Sequence, residues 1–149
     1  MDNLIMNSQW RPSNTGDVEC FTSTGPITYD NFCVNGSQTC SVTMTKRGGV
    51  AKTQYDVPIQ VYGQQAIVFG CCIRCIGADC CILQVDFYDA NNRMIDSCRE
   101  DITSKISADF TNQMGRFMCP CNAVTCKLSI QFTDRITACT YCSPYAYFC

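Results

Sequence analysis

Cysteine offers the most chemistry in this sequence. Fifteen of the 149 residues are cysteine and none is histidine. Five of them fall in FGCCIRCIGADCC, residues 69–81, as two adjacent pairs, Cys71–Cys72 and Cys80–Cys81, with Cys75 between them. Thiols so grouped can hold a metal, exchange electrons, staple a fold internally or hook other molecules. Each role makes its own demand on spacing.

For metal, Cys72-x2-Cys75 and Cys139-x2-Cys142 each have the spacing that lets two thiolates share a tetrahedral zinc. A four-thiolate site would need both pairs brought together across the 63 residues between them, and neither pair sits in a glycine-rich knuckle. No metal is expected. Runs of three cysteines suited to an iron–sulfur cluster are absent, and neither CxxC is followed by the histidine that attached haem requires. For redox catalysis, Arg74 within Cys72-Ile73-Arg74-Cys75 would favour a thiolate. The strand-then-helix setting of a thioredoxin-like motif is missing. Without histidine there is no Ser–His or Cys–His pair. The acids Asp86 and Asp89, or Glu100 and Asp101, read as solvated strand and turn positions. No enzyme activity and no cofactor are expected.

Disulfides remain. Neighbouring residues on a strand point to opposite faces, and a bond between them would close a strained ring. Cys71 and Cys72 therefore need different partners, as do Cys80 and Cys81. The candidates for internal bonds are Cys71, Cys72, Cys75, Cys81, Cys98, Cys119, Cys121, Cys126, Cys139 and Cys142. An odd count leaves at least one thiol over. Cys81 shares a face with Leu83, Val85 and Phe87, so Cys80 points outward. Cys20, Cys80 and Cys149 are the candidates for bonds between molecules, although Cys149 could equally pin its own terminus.

The rest of the chain must position these groups. Its length suits one domain with a real core. Charged residues are 16% of the chain, the net charge is -2 and the pI is near 4.9. The basic residues are scattered, which argues against nucleic acid as a partner. The longest apolar stretch, residues 66–73, is far short of the roughly 20 needed to span a bilayer. The start, MDNLIMNSQW, has neither the basic nor the long apolar region of a secretory signal. Residues 1–16 read as an arm and 17–149 as a cysteine-rich domain. Within the arm, Leu4, Ile5, Met6 and Trp10 are apolar; residues 1–7 are expected to dock on a neighbouring subunit and residues 8–14 to tuck onto their own sheet.

Short strands with turn punctuation follow, over 18–22, 40–46, 53–62, 65–71, 80–88, 92–97, 115–119, 124–133 and 138–148. CILQVDFY (81–88) and KLSIQF (127–132) alternate with a period of two. Pro58 predicts an edge or a bulge. Ile102, Ile106 and Phe110 recur every four residues and predict a helix over 99–110. Together these elements predict an all-β fold, an antiparallel β-sandwich of jelly-roll type with an extended N-terminal arm.

FYDANNRMID, then DFTNQMGRFMCPCNAVTCKLSIQF, resembles the second half of jelly-roll domains of carbohydrate-binding type, through Phe87, Tyr88, Asp89, Phe117, Pro120, Ala123, Leu128, Ile130 and Phe132. The departures are Cys98, Cys119, Cys121 and Cys126. In plan the chain is also similar to the cysteine-rich, self-assembling spore-surface and spore-appendage proteins of endospore-forming bacteria. That likeness implies a structural subunit whose partner is itself, or another surface protein, in an extracellular or spore-surface polymer. Strand or arm exchange would join the subunits and intermolecular disulfides would lock them. The alternative is a carbohydrate-binding module with internal staples, for which Trp10, Tyr62, Tyr88 or Tyr141 would supply a sugar-stacking ring.

Overall fold

The computed structural model describes residues 2–11, 18–34, 36–63 and 65–149, the side chains of residues 31 and 32 excepted. Among these residues nine strands carry the fold: β1 (Phe21–Thr24), β2 (Ile27–Val34), β3 (Ser37–Met44), β4 (Val50–Gln60), β5 (Ala66–Cys75), β6 (Ala78–Tyr88), β7 (Met94–Asp101), β8 (Thr111–Met118) and β9 (Thr125–Phe148). The 24-residue β9 organises the others. Its first half lies between β4 and β6, and its second half between β3 and β5, all antiparallel. With β1 on β4 and β7 on β6, sheet A runs β1–β4–β9–β6–β7. With β2 on β3 and β8 on β5, sheet B runs β2–β3–β9–β5–β8.

A strand that passes from one sheet to the other makes the corner of a sandwich. Here the corner is Asp134, at φ 66°, a left-handed conformation that aspartate tolerates better than most residues. Its N–H donates to the Gly49 carbonyl at 2.9 Å and its carboxylate accepts the Gly48 N–H at 2.8 Å. The expected strands 124–133 and 138–148 are thus one bent strand.

Between the sheets, Leu83, Val85 and Phe87 of β6 meet Leu128, Ile130 and Phe132 of β9, with Ile67, Ile73, Val42 and Tyr141 packed around them, all buried. The two alternating segments read from the sequence are the inner faces of this core. Pro58 falls where the β4–β9 register shifts, between Tyr55 and Ile59, as its missing N–H requires. β2 was not expected from the sequence. Its Asp30 is unusual in a strand, and here its carboxylate accepts hydrogen bonds from Thr39 and Ser41 on β3.

Residues 99–110 do not form the expected helix. β7 runs to Asp101, Thr103–Lys105 make one 3-10 turn, and irregular chain leads to β8. Ile102 is fully buried, while Ile106 and Phe110 lie half-buried against the core. Three loop residues that dock at every fourth position mimic a helical face.

The described part of the arm lies on its own sandwich, as expected for Trp10. Ile5 is 4% exposed and Trp10 is 0% exposed. The Trp10 ring meets the rings of Phe21, Tyr29 and Tyr141 edge-on, with centroids 5.5–6.3 Å apart. The Leu4 N–H donates to the Ala146 carbonyl at 2.8 Å, and the Met6 N–H to Tyr55 Oη at 3.0 Å. Leu4 is half-buried and Met6 alone of the four is exposed. Burying apolar area is favourable, and this segment finds that burial on its own sandwich, between Ala146 of β9 and Tyr55 of β4. Residues 1 and 12–16 of the expected arm lie outside the described residues. Among the described residues no helix is long and apolar enough to cross a membrane.

Candidate functional site

The outer face of sheet A is built from short strands of alternating residues whose inward partners are core. Strand register lines up Thr22, Gln54, Ser129, Gln84 and Arg99 in one row across five strands. A second row holds Thr24, Lys52, Gln131, Ile82 and Asp101. A third, across β9, β6 and β7, holds Lys127, Asp86 and Ser97. At about 4.8 Å between strands, the five-residue row is about 19 Å long. A groove of about 180 Å³ lined by Thr22, Thr24, Lys52, Gln54 and Asp56 forms its β1–β4 end.

The centre of this face is polar yet shielded from water. Ser129 is 3% exposed, Gln84 7% and Asp86 9%. Gln84 Nε2 donates to Asp86 Oδ1 at 2.8 Å, and Ser97 Oγ donates to the same oxygen at 2.6 Å. Gln131 Nε2 donates to Ser129 Oγ at 3.0 Å. Gln84 Oε1 is buried and accepts no hydrogen bond from any described residue. An unmet buried acceptor costs about 1–3 kcal/mol, and this one lies in the middle of a row of hydrogen-bonding groups. Charge on the face is balanced, with Lys52, Lys127 and Arg99 set against Asp56, Asp86 and Asp101. Such a surface suits a neutral, hydroxyl-rich ligand better than an anion or a cation. Tyr88 supplies one ring at the margin, with Lys127 Nζ 5.4 Å from its centroid. Burial pushes its hydroxyl pKa up, and nearby Asp86 adds to the effect.

Of the rings expected to stack on sugar, Trp10 and Tyr141 are core residues, and Tyr141 hydrogen-bonds Thr53 at 2.6 Å. Tyr62 is exposed but lies against Phe148. Tyr88 alone belongs to the polar face. Gln54, Gln84, Ser129 and Arg99 were not anticipated, because they come from four strands and only register brings them together.

The cysteines gather elsewhere. β5 and β9 bring the two CxxC segments face to face, with Cys72 opposite Cys142 and Cys75 opposite Cys139. Three-residue spacing along a strand puts Cys72 and Cys75 on opposite faces, so the four sulfurs do not converge. Among the described residues no group of three or more ligating side chains has the arrangement of a metal site. Cys71, Cys72, Cys75, Cys81, Cys119, Cys126, Cys139 and Cys142 are buried, Cys98 is half-buried and Cys121 is exposed. Cys71 and Cys72 point to opposite faces of β5, yet both are buried because β5 is covered on both sides: Cys71 is 0% and Cys72 9% exposed. On the outer side Tyr145 lies across the strand at Gly70, where an added Cβ would come within 2.7 Å of its Oη. Cys80 lies on the outer side of β6, half-buried, whereas Cys20, also half-buried, packs against the core, and Cys149 is exposed. Cys33, exposed, and Cys40, buried, carried no sequence expectation.

The shared hydrogen bond of Cys75 and Cys139 splits their acidities, lowering Cys75 to about 7 and raising Cys139. Burial pushes Cys142 up to about 11 and Cys126 up to about 12, and it also raises Cys40, Cys71 and Cys81.

No family model matches the chain, and no curated protein matches it significantly. Solved structures do. The enzymatically active domain of tailspike protein 4 from bacteriophage CBA120 matches with TM-score 0.74 and 13% identity over 99% of this chain, which spans only 21% of that one. Family 16 Carbohydrate Binding Module-2 matches with TM-score 0.67 and 16% identity, covering 97% of this chain and 99% of that one. The CBM22-1 xylan-binding domain from Paenibacillus barcinonensis Xyn10C gives 0.63 and 12%, covering 99% and 94%. The chain has the jelly-roll sandwich fold of these modules. At such identities the likeness is one of fold. It agrees with the sequence resemblance to carbohydrate-binding jelly rolls, and the comparisons give no support to the expected likeness to spore-surface proteins.

Proposed function

We propose that this chain is a carbohydrate-binding β-sandwich module that takes a neutral oligo- or polysaccharide chain across the outer face of sheet A. The observation that carries the reading is the buried, unpartnered Gln84 Oε1 at the centre of the row Thr22–Gln54–Ser129–Gln84–Arg99. A sugar hydroxyl would donate to Gln84 Oε1 and could accept from Arg99 or Gln54, while Tyr88 would lie against a ring at the edge. The whole-length match to carbohydrate-binding modules supports the reading. On this reading the chain is a non-catalytic binder that works outside the cell, where polysaccharides are met.

Native gel electrophoresis through xylan, mixed-linkage glucan or galactan tests it. Retardation by one of these polymers, lost on Gln84→Leu with the melting temperature retained, is the expected result. Unretarded migration through all three sinks the reading.

A second reading, the disulfide-linked structural subunit, is favoured by the exposed thiols Cys33, Cys121 and Cys149. β7 and β8 would supply exposed edges for strand addition. A non-reducing denaturing gel of native-source material tests it: a ladder that collapses with reductant supports it, and one monomer band in both lanes removes it.

A further inference from the structure

We infer that oxidation of this protein joins Cys72 to Cys142 and Cys75 to Cys139, two cross-strand disulfides on opposite faces of the β5–β9 pair. The inference stands apart from the carbohydrate reading. Directly opposed residues of an antiparallel pair have Cα atoms about 4.5–5.5 Å apart, inside the roughly 4.4–6.8 Å that a disulfide spans. Both cysteine pairs hold that position. In each pair the two thiols are near enough to perturb one another's acidity. Bridges within each CxxC are disfavoured, because residues three apart on a strand lie about 10 Å apart and face opposite ways.

The two pairs are not equivalent. The Ile76 N–H donates to Ala138 O at 2.9 Å, while the Cys75 N–H turns away from β9 to Ser107 O at 2.7 Å. Cys75–Cys139 is therefore the closer, non-hydrogen-bonded kind of pair. Alternation along the ladder makes Cys72–Cys142 the wider kind. In both pairs the β5 member is the less buried: Cys75 is 5% and Cys72 9% exposed, against 1% for Cys139 and 0% for Cys142. The β5 thiols are the entry points.

The chemistry is thiol–disulfide exchange with a small-molecule disulfide as oxidant. The Cys75 thiolate attacks one sulfur of oxidised glutathione, and the glutathione S–S bond breaks to release one glutathione thiolate. Cys139 gives up its proton and attacks Cys75 Sγ of the mixed disulfide, which releases the second. Two protein thiols lose two electrons, and one disulfide becomes two thiols. Cys72 and Cys142 follow the same course.

Trypsin reads the connectivity, since it cuts at Arg74 between Cys72 and Cys75. It yields peptides 53–74, 75–93 and 136–149, holding Cys71 and Cys72, then Cys75, Cys80 and Cys81, then Cys139, Cys142 and Cys149. Folded protein is treated with oxidised glutathione, unfolded, alkylated and digested. The expected product is a single species in which 136–149 is bonded to both 53–74 and 75–93, with fragmentation placing the bonds at Cys142 and Cys139. The Cys139→Ala variant keeps the first link and loses the second. Peptide 53–74 bonded to 75–93 alone, an internal bridge in 136–149, or alkylation of all four thiols overturns the inference.

Discussion

The outer faces of sheets A and B share a strand and a strand count, yet they are built for opposite ends. Face A carries glutamine, serine, threonine and balanced charge, with one cysteine, Cys80, at its margin. Face B carries Cys72 and Cys142, the stacked rings of Tyr145 and Tyr147 at 6.2 Å, and the exposed Met114 and Met118. On face A a hydrogen-bond acceptor is left unmet; on face B thiols sit in register. A jelly roll can therefore keep one face open for a partner and use the other to brace itself, because the two faces meet only through the core.

Substitutions on each face and in the shared core test this contrast. The largest effect is expected at Phe132, fully buried on the strand common to both sheets. Phe132→Ala should lose about 3–5 kcal/mol in urea unfolding, in a single transition. Two separate transitions would mean that the sheets are independent. Next, if the β5–β9 bonds form, each should stabilise the oxidised protein by about 2–4 kcal/mol. Equilibrium unfolding with and without reductant reads this, and polysaccharide retardation by face A should not change.

A binding variant should separate stability from recognition. Gln84→Leu removes the unmet acceptor but also the donor to Asp86 Oδ1, two effects of opposite sign on stability, so its melting temperature should shift little, while affinity falls at least about tenfold, or ~1.4 kcal/mol. Tyr145→Ala, on the other face, should leave retardation unchanged. The smallest effect concerns rate. In reduced protein the Cys75 thiolate, the reactive form, should appear as pH rises through about 7. Iodoacetamide labelling of Cys75 should climb over that range. Cys139→Ala removes the donor that favours the thiolate, so the midpoint should move up toward the ordinary 9.0; an unmoved midpoint would break the link.

Much of the fold was legible because burial writes itself as alternation. Leu83/Val85/Phe87 and Leu128/Ile130/Phe132 point inward as their spacing requires, and the turn after Tyr88 closes on Asp89, whose carboxylate accepts the Asn91 and Arg93 N–H groups. Where local pattern misled, a long-range contact had won. Ile102 plugs a core that belongs to other strands, and Trp10 finds Tyr141 more than a hundred residues away. The candidate face was nearly illegible. Gln84 and Asp86 looked like ordinary outward strand residues, and nothing in one strand says that Gln54 and Ser129 will stand beside them. The cysteine pairing was hidden for the same reason, since it depends on the register of β5 against β9.

β9 has one further consequence, for the order in which the molecule is made. It is the central strand of both sheets and the last of the nine to be synthesised. Until it emerges, β4 and β6 lack the neighbour between them, and so do β3 and β5. At about 5–20 residues per second, its 24 residues take roughly 1–5 s. Through that interval the nascent chain holds unpaired edges, and the cysteines of β5 are without Cys139 and Cys142. Such long-range pairing also folds slowly. Until the final strand pairs with both sheets, the growing chain is a thiol-rich intermediate with open sheet edges.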